Sequence, residues 1–106
     1  MSSKRLAVLE KMTAAGSADP FAWYGLAMEY KGLGRHDEAI ATFGKLRALD
    51  PAYVPQYLMC GALLAELGRP AEARDWLTAG AAAARAKGDA HALSEIETAL
   101  AGLAGG

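Results

Sequence analysis

Residues 20–51 read PFAWYGLAMEYKGLGRHDEAIATFGKLRALDP, from Pro20 to Pro51, and the rest of the chain takes its order from this stretch. Its large residues Trp23, Leu26, Tyr30, Ile40, Phe43, Leu46 and Leu49 recur at steps of three and four. That spacing places them on one buried face of each of two helices. The segment Gly32 to Arg35, GLGR, makes the turn between them, and Asp50-Pro51 closes the second. Pro20 suits the first turn of a helix because its missing N–H is unpaired there anyway, with Asp19 as the cap before it.

The same logic extends outward. Residues 3–15 predict a helix with Leu6, Leu9 and Met12 as a one-sided apolar stripe, Ser2 or Ser3 at its start and Gly16 at its end. Pro55 opens a helix through Leu67, Gly68 ends it, and Arg69-Pro70 start a long partner running to Gly88. Asp89 then caps a final helix with Leu93, Ile96, Leu100 and Leu103 on one face. No segment alternates as a strand does, and no linker is long enough to divide the chain.

With 106 residues there is room for one domain, so residues 1–106 are read as a single unit. The 53 % hydrophobic share is rich in alanine, which favours closely packed helices. A formal net charge of −1 argues against nucleic acid or an anionic membrane as partner, since both call for a basic excess. The apolar run near the N-terminus is broken by Glu10 and Lys11, and nothing approaches the roughly 20 apolar residues of a membrane span. Cys60 is the single cysteine, which rules out an internal disulfide. These features point to a soluble cytoplasmic protein.

Sliding the chain so that Pro20 falls on Val54 aligns it with itself. Trp23 meets Tyr57, Ala27 meets Gly61, Tyr30 meets Leu64, Gly34 meets Gly68, Ala39 meets Ala73 and Phe43 meets Leu77. Small residues at the second and fifth of these places let two helices approach, large ones fill the space above and below, and glycine supplies the turn. This pattern resembles the tetratricopeptide repeat, with units at 20–53 and 54–87. The first copy also keeps Leu26 and Pro51; the second departs from the pattern with Cys60, Gly80 and Arg85, so its second helix is expected to run on. Leu9, Lys11 and Met12 fall one full period before Phe43, Lys45 and Leu46, so the helix at 3–15 reads as half of a degenerate repeat. The segment 89–103 reads as a solvating cap. The expected fold is all-α: a right-handed α-solenoid of antiparallel helix pairs, about six helices in all.

The resemblance implies binding without catalysis, in a concave groove lined by the first helix of each pair. Carried over by register, that groove is offered by Phe21, Tyr24, Met28 and Lys31 in the first unit, beside Gly25 and Gly32. In the second it is offered by Leu58, Met59 and Ala62, beside Pro55, Ala65 and Glu66. Some relatives clamp a C-terminal carboxylate with lysine and asparagines; those places hold Tyr24, Met28 and Met59, so that clamp is absent here. The groove is instead rich in Met and Tyr, which suits an apolar segment or helix of a partner protein. Leu58, Met59 and Leu63 serve equally as internal packing, because apolar residues at helical spacing are usually core. Trp23 reads as core alone, and Trp23→Ala is expected to cost about 3–5 kcal/mol.

Little points to catalysis. His36, His91 and Cys60 lack metal-ligand spacing, no phosphate loop follows a strand, and no nucleophile, base and orienting group come together. No cofactor or metal is expected. The charges around the starts of the second helices, Arg35, Asp37, Glu38, Arg69 and Glu72 among them, read as solvated and dipole-complementing. A different class of function stays open: a structural subunit that associates with its own copies through its terminal helices.

Overall fold

The computed structural model describes residues 3–104. They form six helices: α1 (Ser3–Ala14), α2 (Pro20–Gly32), α3 (His36–Leu49), α4 (Pro55–Glu66), α5 (Pro70–Lys87) and α6 (Ala90–Ala104). No strand occurs among the described residues. The chain gathers into two compact units, Met1–Pro51 with α1 to α3 and Ala52–Gly106 with α4 to α6.

In the first unit the Asp19 side chain accepts a hydrogen bond from the Phe21 amide at 3.0 Å, satisfying one of the unpaired donors that open α2. At its far end the Arg35 amide donates to the Tyr30 carbonyl at 2.9 Å, which closes the turn into α3. Ala27 and Ala39 are fully buried, so the backbones of α2 and α3 come close, and Phe43 and Leu46 fill the space beside them without exposure. Arg35 forms a two-pronged ion pair with Glu38 at 2.6 and 2.7 Å; it stands at the N-cap of α3 without a side-chain cap bond. The guanidinium also lies 4.7 Å from the centre of the Tyr30 ring, a cation–π contact.

Helix α1 lies along α2, tied by Leu9 against Gly25 and by the Tyr30 hydroxyl, which donates to Glu10 Oε2 at 2.6 Å. Its buried stripe differs from the expected one. Leu6 and Thr13 are buried, whereas Met12 is 43 % exposed. Thr13 meets the cost of burial by donating to the Leu9 carbonyl at 2.9 Å, so a polar residue can hold the inward register. Leu49 also departs from the buried stripe: it is exposed at the last turn of α3. The expected capping by Ser2 lies outside the described residues.

The second unit repeats the hairpin and adds a third helix. Arg69 pairs with Glu72 at 2.7 and 2.8 Å, the counterpart one repeat later of the Arg35–Glu38 pair. Helix α5 does run longer than α3, 18 residues against 14. The Asp89 carboxylate accepts from the Ala92 amide at 3.0 Å and caps α6 as expected. Val54, Leu77, Ala81, Ala84 and Ile96 make one core, against which Leu93, Leu100 and Leu103 pack half-buried. Cys60 is fully buried, the setting of an inert core thiol.

Candidate interaction face

The residues that sequence register puts in a groove fall on α2 and α4, one set in each unit. On α2 the set divides by exposure. Phe21 is 65 % exposed, held out from the first turn that Asp19 caps. Tyr24, Met28 and Lys31 are half-buried, and the Tyr24 ring meets the Phe43 ring edge-on at 6.4 Å. Gly25 does not belong to an open face: it is buried with Leu9 of α1 lying over it. The degenerate half-repeat thus covers part of the surface that the register alone leaves free.

On α4 Leu58 and Met59 are half-buried and Ala62 is exposed. Leu58 packs against the core of the second unit, and Leu63 is buried, so internal packing claims both. Ala62 has a different setting. With Ala65 and Glu66 it forms one wall of a cleft of about 580 Å³, whose other wall is Ala99, Gly102 and Leu103 of α6. Gly68 of the preceding turn and Pro70 at the start of α5 also line it. The cleft is open to solvent along its length and is not an enclosed ligand pocket. The sequence singles out Leu103 on the leucine stripe of this solvating cap, but not Ala99 and Gly102 beside it. The recurrence of small residues at Ala99 and Gly102 beside Leu103 is the signal that marks this wall.

A second cleft, of about 400 Å³, opens in the first unit beside Trp23. Trp23 is therefore half-buried at a wall and not a pure core residue. Its indole Nε1 donates to the Ser17 carbonyl at 2.8 Å, which fixes the loop between α1 and α2. Glu10, Tyr30 and Lys45 share the cleft. The hydrogen bond to Glu10, with burial and the carboxylate charge behind it, pushes the Tyr30 hydroxyl up to about 12. A bond that stabilises the neutral phenol in this way holds α1 on α2 and is a structural tie.

No cluster of three or more metal-ligating side chains occurs among the described residues, and no helix among them is long and apolar enough to cross a membrane.

The tetratricopeptide-repeat family model matches residues 30–95, from the last turn of α2 into α6. A search of the curated proteins finds no significant match. Among solved structures, a tetratricopeptide repeat domain protein from Salinibacter ruber is 36 % identical, covering 82 % of this chain and 88 % of its own in the solution structure, with a TM-score of 0.77. A protein from Bordetella parapertussis is 28 % identical over 93 % of this chain and 86 % of its own, with a TM-score of 0.78. The type III secretion translocator chaperone SycD of Yersinia enterocolitica reaches a TM-score of 0.84 at 17 % identity, covering 92 % of this chain and 68 % of its own; that likeness speaks for the fold alone. Repeat register, helical hairpins and relatives agree, and the chain belongs to the tetratricopeptide-repeat family.

Proposed function

We propose that the protein is a non-catalytic interaction module that takes a peptide or helix of a partner protein on the faces of α2 and α4. The observation that carries this reading is the cleft of about 580 Å³ beside α4. Three residues at its wall, Ala62, Ala65 and Glu66, stand at the register the family uses for binding. A cleft with alanine walls admits close approach of another backbone, and its single carboxylate at the rim can orient an incoming cation. On α2 the exposed Phe21 ring and the half-buried Met28 supply adaptable apolar area. A cytoplasmic setting fits a chain whose one thiol needs no oxidising compartment, and the net charge of −1 favours a protein partner over nucleic acid or an anionic bilayer.

The test uses a phage-displayed library of random peptides selected on the full chain. Selected sequences are expected to carry apolar residues at helical spacing. Ala65→Trp, which fills the cleft from an exposed position, is expected to weaken them at least tenfold while the circular dichroism stays unchanged. Peptides that bind Ala65→Trp and Phe21→Ala as well as they bind the wild type, or a selection that yields no binder, overturn the reading.

A further inference from the structure

Helix α1 shares one register with α3 and α5, yet the face that those two helices bury stands open on α1. Val8, Leu9 and Met12 fall where α3 has Thr42, Phe43 and Leu46 and where α5 has Trp76, Leu77 and Gly80. Every counterpart on α3 and α5 is buried. The first helix of the same hairpin supplies the cover. Tyr24 of α2 meets the Phe43 ring edge-on, and Tyr57 of α4 lies against both Trp76 and Gly80. On α1, by contrast, Val8 is 58 % exposed and Met12 is 43 % exposed. Leu9 is drawn in against Gly25, because α2 packs along the other side of α1, where Leu6 and Thr13 are buried.

Charge sets this face apart as well. At ~100° per residue, Lys4 and Lys11 lie together along one edge of the stripe, ~40° and ~60° from Val8, and Arg5 lies ~60° from it on the other side. All three are exposed. The one carboxylate of the helix, Glu10, is on the far side and accepts the Tyr30 hydroxyl. Lys4 and Arg5 also occupy the first turn of α1, where the helix dipole disfavours cations. Helices α3 and α5 follow the dipole there, with Asp37 and Glu38 in one and Glu72 in the other. Cations held against the dipole beside exposed apolar residues break a folding rule in the way that binding surfaces do. A second copy of the chain offers no match. Its own α1 repeats the cations, and α6 carries His91 and Glu95 where α4 carries Tyr57 and Gly61.

We propose that the open face of α1 binds an acidic amphipathic helix of another protein, which takes the place that α2 holds on α3 and α4 holds on α5. Its apolar stripe covers Val8 and Met12, with an aromatic ring where Tyr57 lies across the equivalent Trp76 and Gly80. Its carboxylates meet Lys4, Arg5 and Lys11, which favours this helix over a neutral or basic one. The face is small, so binding is expected to be weak and to fall with added salt. This site is separate from the cleft beside α4 and does not rest on it.

The test selects from a phage-displayed library of helical peptides on the full chain, with counter-selection on Val8→Gln/Met12→Gln. Both positions are exposed and glutamine suits a helix, so this variant is expected to keep the wild-type circular dichroism. The surviving peptides are expected to be net acidic, with an aromatic in an apolar stripe at helical spacing. Made synthetically, they are expected to bind the wild type about tenfold more tightly than Lys4→Gln/Lys11→Gln, a second variant that leaves the apolar stripe intact. A selection with no survivors, survivors without net negative charge, or binding indifferent to Lys4→Gln/Lys11→Gln overturns the proposal. Two other results overturn it by naming a different occupant. One is binding to vesicles of phosphatidylserine and phosphatidylcholine, and the other is a dimer in sedimentation, if either is lost in Val8→Gln/Met12→Gln. The cleft beside α4 is tested by Ala65→Trp and this face by Val8→Gln/Met12→Gln, so the two readings fail separately.

Discussion

The two repeats share one register and fill it differently. In the first, the large side chains stand on both helices: Phe43 and Leu46 from α3 are fully buried, and Trp23 of α2 stays half-buried beside a cleft. In the second, Gly80 replaces Leu46 and Gly61 replaces Ala27, and the space they release is taken by neighbours. A Cβ on Gly61 would stand 2.6 Å from Leu77 Cγ, and one on Gly80 would run into Tyr57 and come within 3.2 Å of Ile96 Cδ1. Tyr57 is consequently 2 % exposed, with its ring 5.8 Å from that of Trp76. The position of Trp23 keeps an aromatic in Tyr57, and where Leu77 stands for Phe43 the lost ring is offset by Trp76, whose counterpart in the first repeat is Thr42, bonded at 2.7 Å to the Glu38 carbonyl. The lesson is that one register can hold two cores, provided volume removed at one place returns at another.

The largest expected effect inverts what the sequence suggests about its aromatics. Tyr57→Ala is expected to cost about 3–5 kcal/mol in urea unfolding, because the ring is enclosed by Gly80 and Trp76. Trp23→Ala is expected to cost less, since the larger ring is only half-buried. A Trp23→Ala chain less stable than Tyr57→Ala would break the comparison between the repeats.

Next in size is Gly80→Ala. A single methyl placed against Tyr57 and Ile96 is expected to destabilise by about 1–3 kcal/mol through overpacking, although alanine is the better helix former by about 1 kcal/mol. The same substitution at Gly44, exposed with open space around its missing Cβ, is the control and is expected to stabilise. Equal signs at the two positions would show that helix propensity, and not close approach, governs Gly80.

The smallest effect concerns the tie between α1 and α2. Tyr30→Phe removes the bond to Glu10 and is expected to cost about 1 kcal/mol at neutral pH. The Tyr30 pKa of about 12 stands above its ordinary value of 10. The bond therefore contributes fully below pH 10 and is lost as pH rises toward 12 and the phenol ionises. Wild type should lose stability across that window more than Tyr30→Phe does, and the ultraviolet titration should contain a late phase that Tyr30→Phe removes. Identical alkaline profiles would refute the tie.

Much of this fold could be read in the chain. The helix positions follow from apolar residues at steps of three and four and from punctuation by Asp19-Pro20, Gly34, Gly68 and Asp89, all local features. The repeat follows from six pairs at one offset. The face of α1 could not be read so: Leu6, Leu9 and Met12 are the apolar choice, yet Thr13 goes inward because its hydroxyl finds a carbonyl on its own helix. Nor could the groove residues be sorted, since Leu58 and Ala62 look equally available in register and only their neighbours separate them.

By itself the sequence determined six helices, their pairing into hairpins and the membership of a repeat family, because those depend on short-range periodicity and turn chemistry. Tertiary structure alone decided which surfaces remain open. Leu9 closes over Gly25, Tyr57 enters the space of the missing Cβ at Gly80 and Leu77 that at Gly61, and α6 stands off from α4 far enough to leave a cleft. Exposure is a property of packed neighbours distant along the chain, and no local pattern encodes it.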